Sequence, residues 1–224
     1  MQAVILAAGR GTRMGSLTQD TPKPLLAVRG KSLLERTLDK LPEEVDEIIL
    51  IVGYLKEKIQ ERIGNKYQGK PIKYIEQAER LGTAHALFLC REILGPRFLV
   101  LNSDDIYSSA DIQRCLDYDN CILAYEMTGS FAGGRFFLNN RNEITAIGEG
   151  EFADGTHLVN TGLYVLTDDI FSYEMVKLSG REEYGLPQTI AVMAKDRPVK
   201  LEKCSFWLQV NDPEALKIAQ NKLS

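Results

Sequence analysis

Apolar residues in the first half of the chain fall in short, nearly unbroken runs: QAVIL near the start, then EIILIVG, PIKYIEQ and RFLVLNSD. Between them lie segments of helical periodicity at 33–41, 55–63 and 84–94. Continuous β-rich runs separated by helices suit a parallel sheet covered on both faces, because neither face of such a strand meets water. From about residue 120 the rhythm changes. CILAYEM, RFFLNNRNEITAIGE and LVNTGLYVL read as β segments, the middle one broken by the turn-rich NNRN, and their succession predicts antiparallel strands. A helix over 187–194, a strand VKLEKC and a closing helix PEALKIAQNKL entered through Asn-Asp-Pro complete the pattern. The expected fold is α/β: a Rossmann-like mixed, mainly parallel sheet with helices on both faces and a smaller antiparallel β region.

Composition narrows the functional classes. With 224 residues, 44% apolar and 26% charged, the chain can bury one sizeable core. A single unit over 1–224 is expected, its halves meeting near 119/120, with no repeat, low-complexity tract or linker. The formal charge of −4, without a lysine or arginine tract, argues against nucleic-acid binding, which needs clustered cations to displace counterions. The apolar run at 3–8 is short for a signal sequence, and no stretch approaches a membrane span, so no membrane partner and a cytoplasmic location are expected. Cys90, Cys115, Cys121 and Cys204 lack C-x-x-C spacing and read as reduced thiols rather than a disulfide frame or zinc site.

The first strand runs into LAAGRGTRMGSLTQDTPKPLL. A glycine-rich turn directly after a strand brings backbone N–H groups close to a ligand, and such nests bind phosphate. The spacing Gly9-x-Gly11-x-x-x-Gly15 is not a dinucleotide fingerprint. Thr21-Pro22-Lys23-Pro24 prevents a continuous helix, and the second strand ends in Gly53-Tyr54 rather than an acid for a ribose hydroxyl. The Walker order is absent as well. What remains is a long loop at the ligand edge of the sheet that carries Arg13 and Lys23, able to fold over a triphosphate with cations on both sides.

The string LAAGRGTRM…TPKPLL resembles the signature of the sugar-1-phosphate nucleotidylyltransferases. QAERLGTAHAL is similar to the base-reading segment of the uridylyl and thymidylyl members, and LVLNSDD to the strand whose aspartate holds magnesium. GGR, AIGEGE and LVNTGLYVL resemble sugar-site segments, and FWLQVNDPEAL the last metal-side motif. The resemblance covers nearly the whole chain. It implies an Mg2+-dependent enzyme whose partners are a nucleoside triphosphate, UTP or dTTP favoured, and a sugar 1-phosphate; the products are a nucleotide sugar and pyrophosphate, and an oligomer is possible. Two other readings are a cytidylyltransferase acting on a polyol or choline phosphate, and a regulatory protein that kept the fold and lost turnover.

Carried onto this sequence, the family pattern implies Leu6, Ala7, Ala8, Gly9, Gly11, Thr12, Arg13 and Lys23 at the nucleotide, with Gln77, Gly82 and Thr83 reading the base. The catalytic set is Arg13, Lys23 and Asp104. Arg13 offers a fork of donors for the departing pyrophosphate, whereas Lys23 is a point charge suited to the α-phosphate. Asp104 closes an apolar strand and supplies a hard oxygen for magnesium, or else caps the following helix, with Asp105 beside it able to do either. Asn211 is the second expected metal ligand; Gln209 stands where many members carry an aspartate, and Asp212 reads as a helix N-cap.

Gln77 offers a donor and an acceptor to a pyrimidine imide, though a flipped amide would also pair with cytosine. Gly82 brings backbone against the base or simply starts a helix. His85, inside that helix, reads as structural or as a contact behind the site, and His157 as a solvated loop residue. Gly134, Glu149 and Asn160 are implied at the sugar. Two departures bear on the acceptor: Glu149-Gly150-Glu151 stands where many members have Glu-Lys-Pro, and EEYGLPQ where N-acetylglucosamine enzymes have a pattern like GEYYITD. A choline site would need an aromatic cage; Phe136, Phe137, Tyr164 and Trp207 are the candidates, each more simply strand core.

Overall fold

The computed structural model describes residues 1–223. Its elements in chain order are β1 (Gln2–Ala7), β2 (Ala27–Val28), β3 (Lys31–Ser32), α1 (Leu33–Leu38), β4 (Glu47–Val52), α2 (Lys56–Ile63), β5 (Lys66–Tyr67) and β6 (Lys70–Glu76). There follow α3 (Gly82–Phe88), β7 (Arg97–Asn102), β8 (Asp105–Tyr107), α4 (Ser109–Cys115), β9 (Cys121–Thr128), β10 (Phe131–Leu138), β11 (Ile144–Phe152) and β12 (Thr156–Thr167). The last are α5 (Leu186–Met193), β13 (Lys200–Lys203), β14 (Trp207–Gln209) and α6 (Pro213–Lys222).

One ten-stranded mixed sheet forms the frame, with β6, β4, β1 and β7 lying side by side and parallel. β12 joins the far edge of β7 antiparallel and carries β9 and β10 in turn, so the sheet runs on past residue 120. Alternation along a strand sends successive side chains to opposite faces. Val4 of β1 therefore packs with Ala84 and Leu87 of α3 and Leu186, Ile190 and Met193 of α5. Ile5 packs on the other face with Leu34 and Leu38 of α1, Ile59 of α2 and Ile112 of α4. Both faces of the parallel strands are covered, as the near-continuous apolar runs require.

A third, smaller cluster holds the long loop in place. Met14 and Leu26 bury against Ile106, Val210 and Ala219, tying the loop after β1 to β8 and α6. Within that loop, 3-10 turns span Thr12–Thr18 and Lys23–Leu25, and the short β2–β3 hairpin, which no periodicity announced, follows. Ser32 and Glu35 form a reciprocal capping box at the start of α1. The predicted helices at 33–41 and 84–94 end sooner, as Leu33–Leu38 and Gly82–Phe88, the second also starting two residues earlier, with hydrogen-bonded turns continuing past each. Among the described residues no helix is long and apolar enough to cross a membrane, and all four cysteines are free.

Candidate active site

The spatial order β6-β4-β1-β7 reverses direction between β1 and β7, and open α/β sheets bind ligands beyond the carboxyl ends of the strands at such a point. A cleft opens there. Its larger part, about 930 Å³, is lined by Leu6, Ala8 and Gly9 after β1, by Asn102 at the end of β7, and by Gln77, Gly82 and Thr83. An adjoining pocket of about 240 Å³ shares Leu6, Gly9, Gly11 and Thr12 with it and adds Arg13, Lys23, Ser103, Asp104 and Asn211.

Lys23 organises the smaller pocket. It is 6% exposed, and its ammonium is paired with the Asp104 carboxylate and donates to Asn211 Oδ1 at 3.2 Å. Pro22 is extended, and the turn that begins at Lys23 closes through Leu25 N to Pro22 O at 2.8 Å and Leu26 N to Lys23 O at 3.0 Å. Gly11 makes room for the lysine stem. It has φ +67°, and a Cβ there would lie 2.8 Å from Lys23 Cβ, so only glycine fits without movement. Thr18 Oγ1 donates to Gly11 O at 3.0 Å, while the Tyr54 hydroxyl donates to Gln19 O at 2.6 Å, fastening the loop at both ends.

Asp104 and Asp105 part company. Asp104 lines the pocket, whereas Asp105 is 2% exposed in β8, where it accepts from Asn102 Nδ2 at 3.1 Å. Burial, with the Asp104 charge beside it, pushes the Asp105 carboxyl well above the usual range. Of the candidates for a second metal ligand, Asn211 lines the pocket. Gln209 lies in β14, paired in register with Asp105, and Asp212 caps α6 by accepting from Ala215 N at 2.8 Å. Two oxygen acceptors thus converge on one cation, Lys23. Among the described residues no group of three or more His, Cys, Asp or Glu could hold a metal, but magnesium needs only one or two protein oxygens and completes its shell with water and phosphate. The Asp104–Asn211 pair fits it.

Gln77 is buried at the inner wall of the larger part. Its Nε2 donates to Gly82 O at 3.0 Å and lies 3.1 Å from His85 Nδ1, so both amide hydrogens are engaged inside the protein. This corrects the expectation that its side chain offers a donor and an acceptor together: Oε1 is what it has left for a ligand. Gly82 starts α3 with φ +91°, and its tight neighbour is backbone from the second half of the chain. Tyr184 N donates to Leu81 O at 2.7 Å, Ala84 N donates to Tyr184 O at 3.0 Å, and Leu186 N donates to Thr83 Oγ1 at 3.0 Å.

That docked segment supplies lining residues the sequence reading did not nominate: Leu178, Glu183, Tyr184, Gly185, Pro187 and Gln188. Of the expected sugar residues, Asn160 lines the cleft, its Nδ2 donating to the Tyr164 hydroxyl at 2.7 Å. Gly134 and Glu149 are paired in register on β10 and β11, and neither lines it. Glu149 reaches the wall through Gln188, whose Nε2 donates to its Oε1 at 2.6 Å. Ala7 faces away into the core beneath α1 and α2, unlike Leu6 and Ala8.

Two further expectations are corrected. His157 is buried in β12, not solvated in a loop: its Nε2 lies 3.0 Å from the carbonyls of Gly129 and Ala153, and Nδ1 is 3.2 Å from Arg135 Nη1. Carbonyls only accept, so Nε2 carries the proton and Nδ1 accepts a hydrogen bond from the guanidinium. Phe137 is not core either. It is 40% exposed, with the Arg135 guanidinium 4.7 Å above its ring. Trp207 pairs with Tyr125 at 5.6 Å, and of the four cage candidates Tyr164 lines the cleft. The aromatic cage is not assembled.

Residues 2–128 match the family described as Nucleotidyl transferase, and the chain belongs to that family. It is 34% identical over 215 residues to the bifunctional protein GlmU of Methanocaldococcus jannaschii, an overlap that covers 95% of this chain and 52% of that one. The chain therefore spans about half the length of that relative. Over 234 residues it is 33% identical to the UTP–glucose-1-phosphate uridylyltransferase AglF of Haloferax volcanii, covering 100% of this chain and 96% of the relative. The crystal structure of a putative glucose-1-phosphate thymidylyltransferase from Bacillus anthracis superposes with TM-score 0.86 at 24% identity, covering 99% and 94% of the two chains, a likeness of fold.

Proposed function

We propose that this chain transfers a nucleotidyl group from UTP or dTTP to a sugar 1-phosphate, with magnesium required. An acceptor phosphate oxygen attacks the α-phosphorus, the bond from that phosphorus to the bridging oxygen breaks, and pyrophosphate leaves with the bond's electrons. No nucleophilic side chain is needed; holding two polyanions in line and neutralising growing charge supplies the catalysis. The observation that carries this reading is the wedge of Lys23 between Asp104 and Asn211 in a pocket that opens onto the Gln77 wall.

In this reading Lys23 meets the α-phosphate and stabilises charge that develops there in the transition state. Arg13, exposed at the rim of the same pocket, holds the β and γ phosphates and steadies the departing pyrophosphate. Asp104 and Asn211 would hold the magnesium ion, which when bound supplies positive charge to the phosphate oxygens. Gln77 Oε1 accepts from the imide N–H of uracil or thymine. Asn160 serves the sugar directly, and Glu149 does so together with Gln188. The lysine that many family members place after the glutamate is Gly150 here, so the acceptor phosphate depends on the loop cations and metal. A matrix of nucleoside triphosphates against sugar 1-phosphates, read by pyrophosphate release, tests the proposal. Magnesium-dependent release fastest with UTP or dTTP is expected, and a clear preference for ATP or GTP would overturn the base assignment.

A further inference from the structure

Gly82 and His85 stand three residues apart in α3, on one face of the helix, and both hold Gln77. Gly82 O can only accept, so the amide nitrogen of Gln77 must be the atom that faces it. The second amide hydrogen then points at His85 Nδ1, 3.1 Å away, and that nitrogen must carry a lone pair. The two contacts fix both groups: Gln77 keeps Oε1 free for a ligand, and neutral His85 carries its proton on Nε2. His85 is not part of the cleft wall, so its action on a nucleotide passes through Gln77.

We infer that His85 is a positioning residue for base selection: by accepting from Gln77 Nε2 it keeps Oε1 as the only group Gln77 presents, favouring an imide base over cytosine. An unrestrained glutamine amide rotates and reads either pyrimidine. Held with its oxygen forward, it accepts from N3–H of uracil or thymine but sets lone pair against lone pair at cytosine N3. The inference rests on the reading of the cleft as a nucleotide site with Gln77 at the base.

Two variants separate the acceptor from the volume of the ring. His85→Leu removes the acceptor and retains apolar bulk; His85→Asn returns an oxygen at nearly the place of Nδ1, since both atoms are bonded to Cγ. Calorimetric titration of the full chain with UTP and with CTP, in the presence of magnesium, gives the ratio of the two dissociation constants. The expected result for His85→Leu is a fall in UTP preference of about 3- to 10-fold, the range of one net hydrogen bond, with most of it recovered in His85→Asn. A wild-type ratio in a folded His85→Leu, when Gln77→Ala has lost the preference, overturns the inference alone. A wild-type protein with no preference for UTP over CTP overturns the base reading, and the inference with it. Nitrogen-15 NMR of the histidine-labelled ligand-free protein tests the contact apart from any nucleotide: the Nε2–H tautomer is expected at His85, and the Nδ1–H form overturns the inference.

Discussion

Gly82 and Tyr184 meet backbone to backbone: a Cβ built on Gly82 would lie 2.4 Å from the carbonyl oxygen of Tyr184 and 2.7 Å from its nitrogen. The turn that carries Gln77's partner and the segment that lines the opposite wall of the cleft are thereby locked together. Gly82→Ala must push the two apart and also hold alanine at φ +91°, a conformation that costs about 1–3 kcal/mol. The expected outcome is a melting temperature lowered accordingly, with kcat/KM reduced for both substrates, since both walls move. Thermal denaturation and steady-state kinetics check this. An effect confined to the nucleotide would mean that the 176–186 segment does not follow the turn.

Lys23→Ala is expected to lower kcat by about 10²- to 10³-fold while leaving the nucleotide KM within a few-fold, as for removal of one preorganised group aimed at transition-state charge. The lysine is buried and its ammonium is paired with the two oxygens that would hold magnesium, so metal binding there would release it, already inside the pocket, toward the α-phosphate. A raised KM with unchanged kcat would instead make Lys23 a ground-state phosphate clamp. Circular dichroism confirms that the variant is folded.

The two neighbouring aspartates give a paired test. Asp104→Asn is expected to raise the magnesium concentration needed for half-maximal rate and to lower the rate itself, because it removes charge from a hard-oxygen ligand at constant volume. Asp105→Asn, at a side chain turned away from the pocket toward Asn102, is expected to leave the magnesium dependence unchanged. Titrating activity against magnesium for both variants checks the assignment, and the reverse pattern would exchange their roles.

Local features of this fold were legible in the chain because they obey short-range rules. The continuous apolar character of EIILIVG and RFLVLNSD marks strands buried on both faces, and the two prolines around Lys23 mark a loop that cannot be helix. The long-range features were not legible. EEYGLPQ stands out in the sequence only as a departure from a family pattern, since nothing local says that Tyr184 will hydrogen-bond the backbone of residues a hundred positions earlier. The engagement of Gln77's donors and the burial of His157 are likewise tertiary facts: each depends on which carbonyls and which partner side chain the fold brings within 3.2 Å. The exposure of Phe137 is tertiary in the same way: β10 and β11 lie at the end of the sheet, where Phe136 is buried and Phe137, on the opposite face, is not.

Asp111 ties down the segment that delivers Asn211. Fully buried in α4, its carboxylate accepts from Ser205 N at 2.8 Å, Phe206 N at 3.2 Å and Ser205 Oγ at 2.8 Å, and pairs with Arg114 at 2.9 Å. β14 and Asn211 follow directly. Hydrogen bonds to an ionised group are worth more than neutral ones, and removing the shared acceptor leaves several donors to find water at once. Asp111→Ala is therefore expected to destabilise the protein by about 2–4 kcal/mol in chemical denaturation, against about 1 kcal/mol for Ser205→Ala, which deletes one donor and keeps the rest. Asp111→Asn should fall between the two, since its oxygen still accepts while its amide nitrogen faces donors. Equal costs for all three would show that the Ser205–Phe206 turn is held by its packing rather than by this carboxylate.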